Sequence, residues 1–305
     1  MIVRVLGSAA GGRFPQWNCG CPNCEGVRAG CVPARPRTEE SVAVSADGRA
    51  WFLLNVSADV RAQVEAFPAL HPRGLRHSPI AGVVLTSGDL DHCLGLLVLR
   101  EWHPLVVYAT EPVRRGFTEG NVLYRTLERV PGQVTWRVLK PEEDEELAGP
   151  DGRPAGLAVR AVPVPGKPPL HLAGRRGADP ADTVALLVRD RSGRTLAYAP
   201  GVAAVTDDVR RLVGEADVVF FDGTFWSSDE MPALGLGARR AEDMAHVPMS
   251  GPGGSLAALA GLRAAARVYI HINNTNPVLR EDSPERRAVE AAGWAVAWDG
   301  MELRV

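Results

Sequence analysis

The sequence predicts an α/β protein built from two facing sheets with helices on the outside. Three observations carry that expectation. Short apolar runs alternate with helical patterns in both halves of the chain. Several of these runs end in polar or chargeable residues, at 89–92, at 222 and at 271, which two facing sheets could bring to one common edge. No low-complexity stretch or linker divides the halves, so the 305 residues are expected to form one domain spanning 1–305.

Taken in order, Met1–Gly7 is a strand that runs into the small-residue turn Gly7-Ser8-Ala9-Ala10-Gly11-Gly12. That turn lacks both the GxGxxG order and the Walker lysine, so it is not a nucleotide site. It is either a bare turn or a place where backbone comes close to a substrate. Phe14-Pro15-Gln16-Trp17-Asn18-Cys19-Gly20-Cys21-Pro22-Asn23-Cys24 follows. Ser41–Val44 and Trp51–Leu54 read as a hairpin around Asp47-Gly48. Ala81–Leu85 is a buried strand leading into Thr86-Ser87-Gly88-Asp89-Leu90-Asp91-His92, and Cys93–Leu99 begins a buried helix. Leu105–Tyr108 is a strand, and Glu111–Leu127 has helical spacing broken near Gly120-Asn121. From Gln133 to Val164 the alternation predicts an antiparallel sheet.

In the second half, Thr183–Val188 and Thr195–Tyr198 flank the turn Ser192-Gly193. Thr206–Val213 is an amphipathic helix, and Asp217–Phe221 is a buried strand ending in Asp222-Gly223-Thr224-Phe225-Trp226. A helix is expected over Leu256–Ala265. The strand Ala266–Ile270 ends at His271-Ile272-Asn273-Asn274-Thr275-Asn276-Pro277. Ser283 and Pro284 open a last helix that Gly293 closes. The final strands, Trp294–Trp298 and Met301–Val305, lie around Asp299-Gly300.

Composition narrows the function. With 46% apolar and 23% charged residues and a formal net charge of −2, the chain is ordinary globular material without the broad basic surface of a nucleic-acid binder. The start reads as a strand and not as a signal peptide, and no apolar run approaches a membrane span. The expectation is a soluble cytoplasmic protein without membrane or nucleic-acid partners.

Two clusters point to metals. Three of the five cysteines, Cys19, Cys21 and Cys24, form a CxCxxC loop. In a reducing compartment that spacing suits zinc, which takes four such ligands, so Cys31 or a distant His is expected to complete the set. In the second cluster, Asp89, Asp91 and His92 stand where a core strand ends. Such donors can share a divalent ion, or an aspartate can cap the following helix.

These features together resemble the metallo-β-lactamase superfamily, whose hallmark is HxHxDH after a buried strand with single ligands at later strand ends. Here the motif reads Ser87-Gly88-Asp89-Leu90-Asp91-His92. The CxCxxC insert resembles the branch containing the phosphonate-pathway cyclic phosphodiesterase. The full set resembles the coenzyme PQQ synthesis B family: the Phe14–Cys19 loop, the degenerate motif, Asp222–Trp226, His246-Val247-Pro248-Met249-Ser250 and His271–Pro277. The resemblance implies an αββα sandwich. It also implies a structural zinc on Cys19, Cys21, Cys24 and His246.

The departures from the superfamily pattern matter as much. Ser87 and Asp89 replace the leading histidines, and Pro200 stands where a bridging aspartate is expected. Asp91, His92 and His271 are the ligands that remain, a set that suits mononuclear non-haem Fe(II). Asp89 and Asp222 are further candidates, as extra ligands or as groups that orient the ligands, and Asp89 could also transfer a proton. Asn273 and Asn274 are candidates for binding substrate.

The implied activity is hydroxylation of the tyrosine ring in a Glu–Tyr cross-linked diamino acid released from a precursor peptide. It would consume molecular oxygen and a reductant on the way to pyrroloquinoline quinone (PQQ). A homodimer is compatible with this reading. The alternatives are a metal-dependent hydrolase or phosphodiesterase, which needs two active-site metals, and a non-catalytic carrier of PQQ or its precursor.

Overall fold

The computed structural model describes residues 1–305. Its strands are β1 (Ile2–Gly7), β2 (Ser41–Ser45), β3 (Trp51–Leu54), β4 (Ile80–Val84), β5 (Leu105–Ala109), β6 (Val134–Val138), β7 (Asp144–Ala148), β8 (Pro154–Pro163), β9 (Val184–Asp190), β10 (Thr195–Ala199), β11 (Val218–Asp222), β12 (Ala266–Ile270), β13 (Ala295–Val296) and β14 (Glu302–Arg304). They form two seven-stranded mixed sheets, ordered β14-β1-β2-β3-β4-β5-β6 and β13-β12-β11-β10-β9-β8-β7.

Alternation along each strand builds the layers, because successive side chains point to opposite faces. Val218, Phe220, Val268 and Ile270 meet Val5, Phe52, Leu54 and Tyr108 of the first sheet in a core between the sheets. Val219, Phe221 and Tyr269, one residue out of phase, pack against the outer helices of the second sheet, and Leu53, Val83 and Val107 do the same on the first. The result is the αββα sandwich implied above.

Several local expectations are corrected. β6 does not join the antiparallel strands after it; it pairs parallel with β5, while β7 and β8 form an antiparallel pair in the other sheet. The two last strands flank Asp299-Gly300 but are shorter than expected and belong to different sheets. β13 runs parallel to β12 and β14 antiparallel to β1, so the turn carries the chain from one sheet to the other. The helix expected over Leu256–Ala265 covers only Ser255–Ala258, and Gly261 takes a left-handed φ of 83° soon after it. The helical pattern over Glu111–Leu127 breaks near Gly120-Asn121 as expected, into Glu111–Thr118, a 3₁₀ turn at Val122–Tyr124 and Arg125–Glu128. The hairpin β2–β3 and the capped helices Asp207–Gly214 and Pro284–Ala291 form as expected, with Thr206 and Ser283 as side-chain caps.

Candidate metal centre

The ends of β4, β11 and β12 converge at one edge of the sandwich. After β4, the helical turn Leu90–Cys93 begins with Asp89 at its N-cap, but no side-chain capping bond forms there. The Asp89 and Asp91 side chains line a cavity of about 360 Å³ together with His92, His246, His271 and Asn273. Larger hollows of about 690 and 970 Å³ lie elsewhere and contain none of these groups.

His271 follows β12 with φ 60°, a left-handed backbone that is costly for a residue with a Cβ and concentrates at functional sites. The reason is topological. Gly223 N–H still bonds Ile270 in the second sheet, whereas Ile272 N–H bonds Ser8 O and Ala10 N–H bonds Ile272 O, both 2.9 Å, beside the end of β1. The chain crosses from one sheet to the other at His271, and its imidazole is left pointing into the shared edge.

Donor atoms of Asp91, His92 and His271 lie within 4.8 Å of one another, close enough to hold one ion. His271 Nε2 is 3.2 Å from Asp91 Oδ2, and Thr224 Oγ1 lies 2.8 Å from His271 Nδ1. Ser87 Oγ is 2.9 Å from His92 Nδ1. The residue standing where the superfamily pattern has its first histidine therefore orients the last one. It leaves His92 Nε2 buried without any partner, as a lone pair meant for an ion would be.

The electrostatics fit this arrangement. Burial would raise the Asp91 carboxyl, but His92 and His271 overcome it and hold the carboxyl well below its usual range. Burial lowers His92 to about 4. For His271 burial acts the same way, but the bond to Asp91 wins and raises it to about 9. Burial and the neighbouring Asp91 charge push Asp89 up.

Both Asp222 oxygens are engaged by neighbouring groups. Val202 N–H donates to its Oδ2, and Thr224 donates to Oδ1 through both N–H and Oγ1. His246 Nδ1 lies 2.7 Å from Oδ2. Asp222, His246 and His271 form a second donor group within 4.8 Å, in which the Asp222 oxygens are also hydrogen-bonded by Val202 and Thr224.

This overturns the assignment of His246 to the thiols. Its ring stacks on His271 at 5.3 Å between centroids and lines the active cavity. The reason is the bond to Asp222, reached because the loop after Met244 is tied to the segments that follow β10 and β11, Val247 N–H donating to Val202 O and Met249 N–H to Phe225 O. Cys31 does not join the thiols either; it is exposed, with Sγ 3.5 Å from Gly26 O. Cys19, Cys21 and Cys24 do cluster, held at the start of the helix Pro22–Ala29. What faces them is Asn274, whose carboxamide Nδ2 lies 3.1, 3.6 and 3.4 Å from the sulfurs of Cys19, Cys21 and Cys24. Asn274 is buried there and does not line the cavity, which corrects its reading as a substrate contact; Asn273 does line it. Burial pushes the Cys21 thiol up to about 11, whereas for Cys19 the N–H of Cys21 and the Asn274 amide outweigh burial and lower it.

Two cations at the site belong to no motif singled out in the sequence. Lys167 and Arg239 place cations on the cavity wall from distant loops. Gly11 comes so close that a Cβ there would sit 3.1 Å from Asp91 Oδ2, which gives the glycine-rich turn its purpose.

Comparison with known proteins agrees with this architecture. The Beta-lactamase superfamily domain matches residues 50–272. Coenzyme PQQ synthesis protein B of Methylobacterium sp. (strain 4-46) is 48% identical, covering 99% of each chain, and that of Stutzerimonas stutzeri is 45% identical over all of both. The chain belongs to the coenzyme PQQ synthesis protein B family of the β-lactamase superfamily. A zinc-bound member of this family, PqqB from Methylobacterium extorquens, superimposes with a TM-score of 0.93 at 45% identity over the whole of both chains. A diphosphatase of the PhnP family shares the fold, with a TM-score of 0.66 at 21% identity over 100% of this chain and 97% of its own.

Proposed function

We propose that this chain acts in PQQ synthesis as an Fe(II)-dependent oxygenase that hydroxylates the tyrosine ring of a Glu–Tyr cross-linked diamino acid. The observation that carries the reading is the surviving donor set. Asp91, His92 and His271 offer two imidazoles and one carboxylate, the combination used by non-haem Fe(II) oxygenases, and His92 Nε2 waits unpartnered in the interior. Membership of the PQQ synthesis family supports the pathway.

Bound iron would supply oxygen activation, and the protein's own groups do the rest. Thr224 and Ser87 fix the orientation of the two imidazoles from behind. Lys167 and Arg239 offer charge partners for the carboxylates of a diamino acid. Leu90 and Leu170, both exposed at the cavity, offer apolar surface to a ring. Asp89, half-buried beside Lys167, is positioned to take up a proton from the substrate.

The thiol loop is a separate, structural zinc site. Rotating the Asn274 carboxamide by half a turn exchanges Nδ2 for Oδ1 with no other heavy-atom movement, which would present an oxygen to an ion on the three sulfurs. A binuclear hydrolase is disfavoured because Ser87 and Asp89 stand in place of the leading histidines and Pro200 in place of the bridging aspartate, while His246, the further imidazole in the cavity, has its Nδ1 tied to Asp222.

The test is anaerobic reconstitution with Fe(II), metal counting, and oxygen uptake with the diamino acid and a reductant. One zinc and one iron per chain, with oxygen mass gained by the substrate, is the expected result. Two active-site zincs with phosphodiester cleavage would replace the oxygenase by a hydrolase, and a chain that binds the diamino acid without changing it would be a carrier.

A further inference from the structure

We propose that Asn273 accepts a hydrogen bond from an amino group of the substrate, and that Thr275 and Glu230 position its carboxamide for that task. The inference rests on the diamino acid proposed above and adds the group that recognises its nitrogen.

Asn273 is the second residue after His271 and lines the same cavity. Its backbone is fixed: the N–H donates to Thr224 O and the carbonyl accepts from Asn276 N–H, both at 3.0 Å. Its side chain turns towards Thr275, with Nδ2 2.5 Å from Oγ1. Thr275 in turn donates through Oγ1 to Glu230 Oε1. Oε2 of the same carboxylate accepts from Trp226 N–H at 2.7 Å. Glu230 is buried, where a carboxylate depends on such donors.

The hydrogens in this relay run one way. Burial raises Glu230 to about 7, so above that pH it is ionised and only accepts. Thr275 gives its single hydrogen to Glu230 and can only accept from Asn273, so the amide nitrogen must face it. Met231 Sδ, a weak acceptor with no hydrogen to give, lies 3.7 Å from the same nitrogen and would oppose an oxygen there. The orientation of the carboxamide thus follows from its partners. Oδ1 is the atom left over; no protein group donates to it, and it lies open at the cavity wall. With its donor end tied back, Asn273 offers the cavity an acceptor alone, which suits an N–H and rejects a carboxylate oxygen. Lys167 and Arg239 line the same cavity and suit the carboxylates. An α-amino acid group needs both kinds of partner.

The test is calorimetric titration of the full chain, loaded with Fe(II) and kept anaerobic at a pH above the Glu230 pKa. The ligands are the diamino acid and its two analogues that each lack one α-amino group. Wild type is expected to bind one analogue about tenfold or more weaker than the diamino acid, the scale of a hydrogen bond to a charged group. Glu230→Gln inverts the relay. Trp226 N–H holds the oxygen of the new amide, so its nitrogen donates to Thr275, Thr275 donates to Asn273, and Nδ2 turns into the cavity. This variant should lose the preference for the diamino acid while binding the analogue as wild type does; a merely structural residue would weaken both alike. Asn273→Ala should lose the same preference, and it decides should Glu230→Gln fail to fold. A preference retained in Asn273→Ala overturns the proposal, and one retained in Glu230→Gln overturns the relay. A wild-type chain that binds the diamino acid and both analogues equally overturns the role of Asn273 alone. One that does not bind the diamino acid at all overturns the substrate reading with it.

Discussion

At the scale of single residues, His271 turns the chain from one sheet to the other and pairs with Asp91, and the proposed function gives it a third task, as a donor to the ion. His271→Ala is expected to remove one metal per chain and the oxygenase turnover while the thiol-bound zinc stays, measured by metal analysis and product mass. Thr224 acts behind it, with Oγ1 2.8 Å from Nδ1. Thr224→Val should weaken Fe(II) or Co(II) binding by roughly 10–100-fold, with a smaller effect on the fold; unchanged affinity by competition titration would remove Thr224 from the site.

The charge state of His271 gives a pH prediction. In the metal-free chain its pKa is raised from 6.5 to about 9 by Asp91. The stability it contributes is therefore complete below pH 6.5 and disappears as pH rises through about 9. Urea unfolding of metal-free wild type and His271→Asn should differ most at low pH in that window and converge above it. Metal must also displace this proton, so affinity should climb with pH until about 9. A pH-independent affinity would mean that the His271 proton is not in competition with the ion.

At the scale of elements, two loops support the edge. The thiol loop and the Asn273–Asn276 segment hold each other: Asn23 Nδ2 donates to the carbonyls of Asn274 at 3.1 Å and Asn276 at 3.0 Å, and the Asn274 amide faces all three sulfurs. Because this segment follows His271 directly, zinc on the thiols would brace the active edge from behind. Cys24→Ser should cost one zinc per chain and lower the thermal midpoint by several degrees, since binding energy at such sites is folding energy; a variant keeping both its zinc and its midpoint would show that the thiols bind no structural ion. The glycine turn is the second loop. Gly11→Ala would place a Cβ 3.1 Å from Asp91 Oδ2, and the crowded carboxylate should bind the active-site ion less tightly with the fold intact, as read by titration and thermal unfolding.

At the scale of the whole molecule, the site exists because two sheets are clamped face to face. Phe220 lies at the centre of the core between the sheets, fully buried. Phe220→Ala is expected to cost about 3–5 kcal/mol in denaturant unfolding. Its metal affinity should stay near wild type below the transition, since the side chain touches no ligand.

Much of this was legible in the sequence because it is local. Period-two and period-3.6 patterns marked most strands and the capped helices, and CxCxxC puts three thiols in one loop whatever the rest of the chain does. The polar ends of β4, β11 and β12 were visible because carboxylates and imidazoles after apolar runs have no packing use. What the sequence left open was long-range pairing. β6 and β14 carry ordinary strand patterns, and nothing in them says which sheet they join. His246 and Asn274 changed places for the same reason: a histidine is the better zinc ligand by chemistry, but Asp222 holds His246 in the cavity at 2.7 Å, and the crossover at His271 delivers Asn274 to the thiols. The sequence by itself determined which donor types this protein owns and that they stand at strand ends. Only the tertiary structure decided which of them meet, because that depends on the register and crossing of strands far apart in the chain.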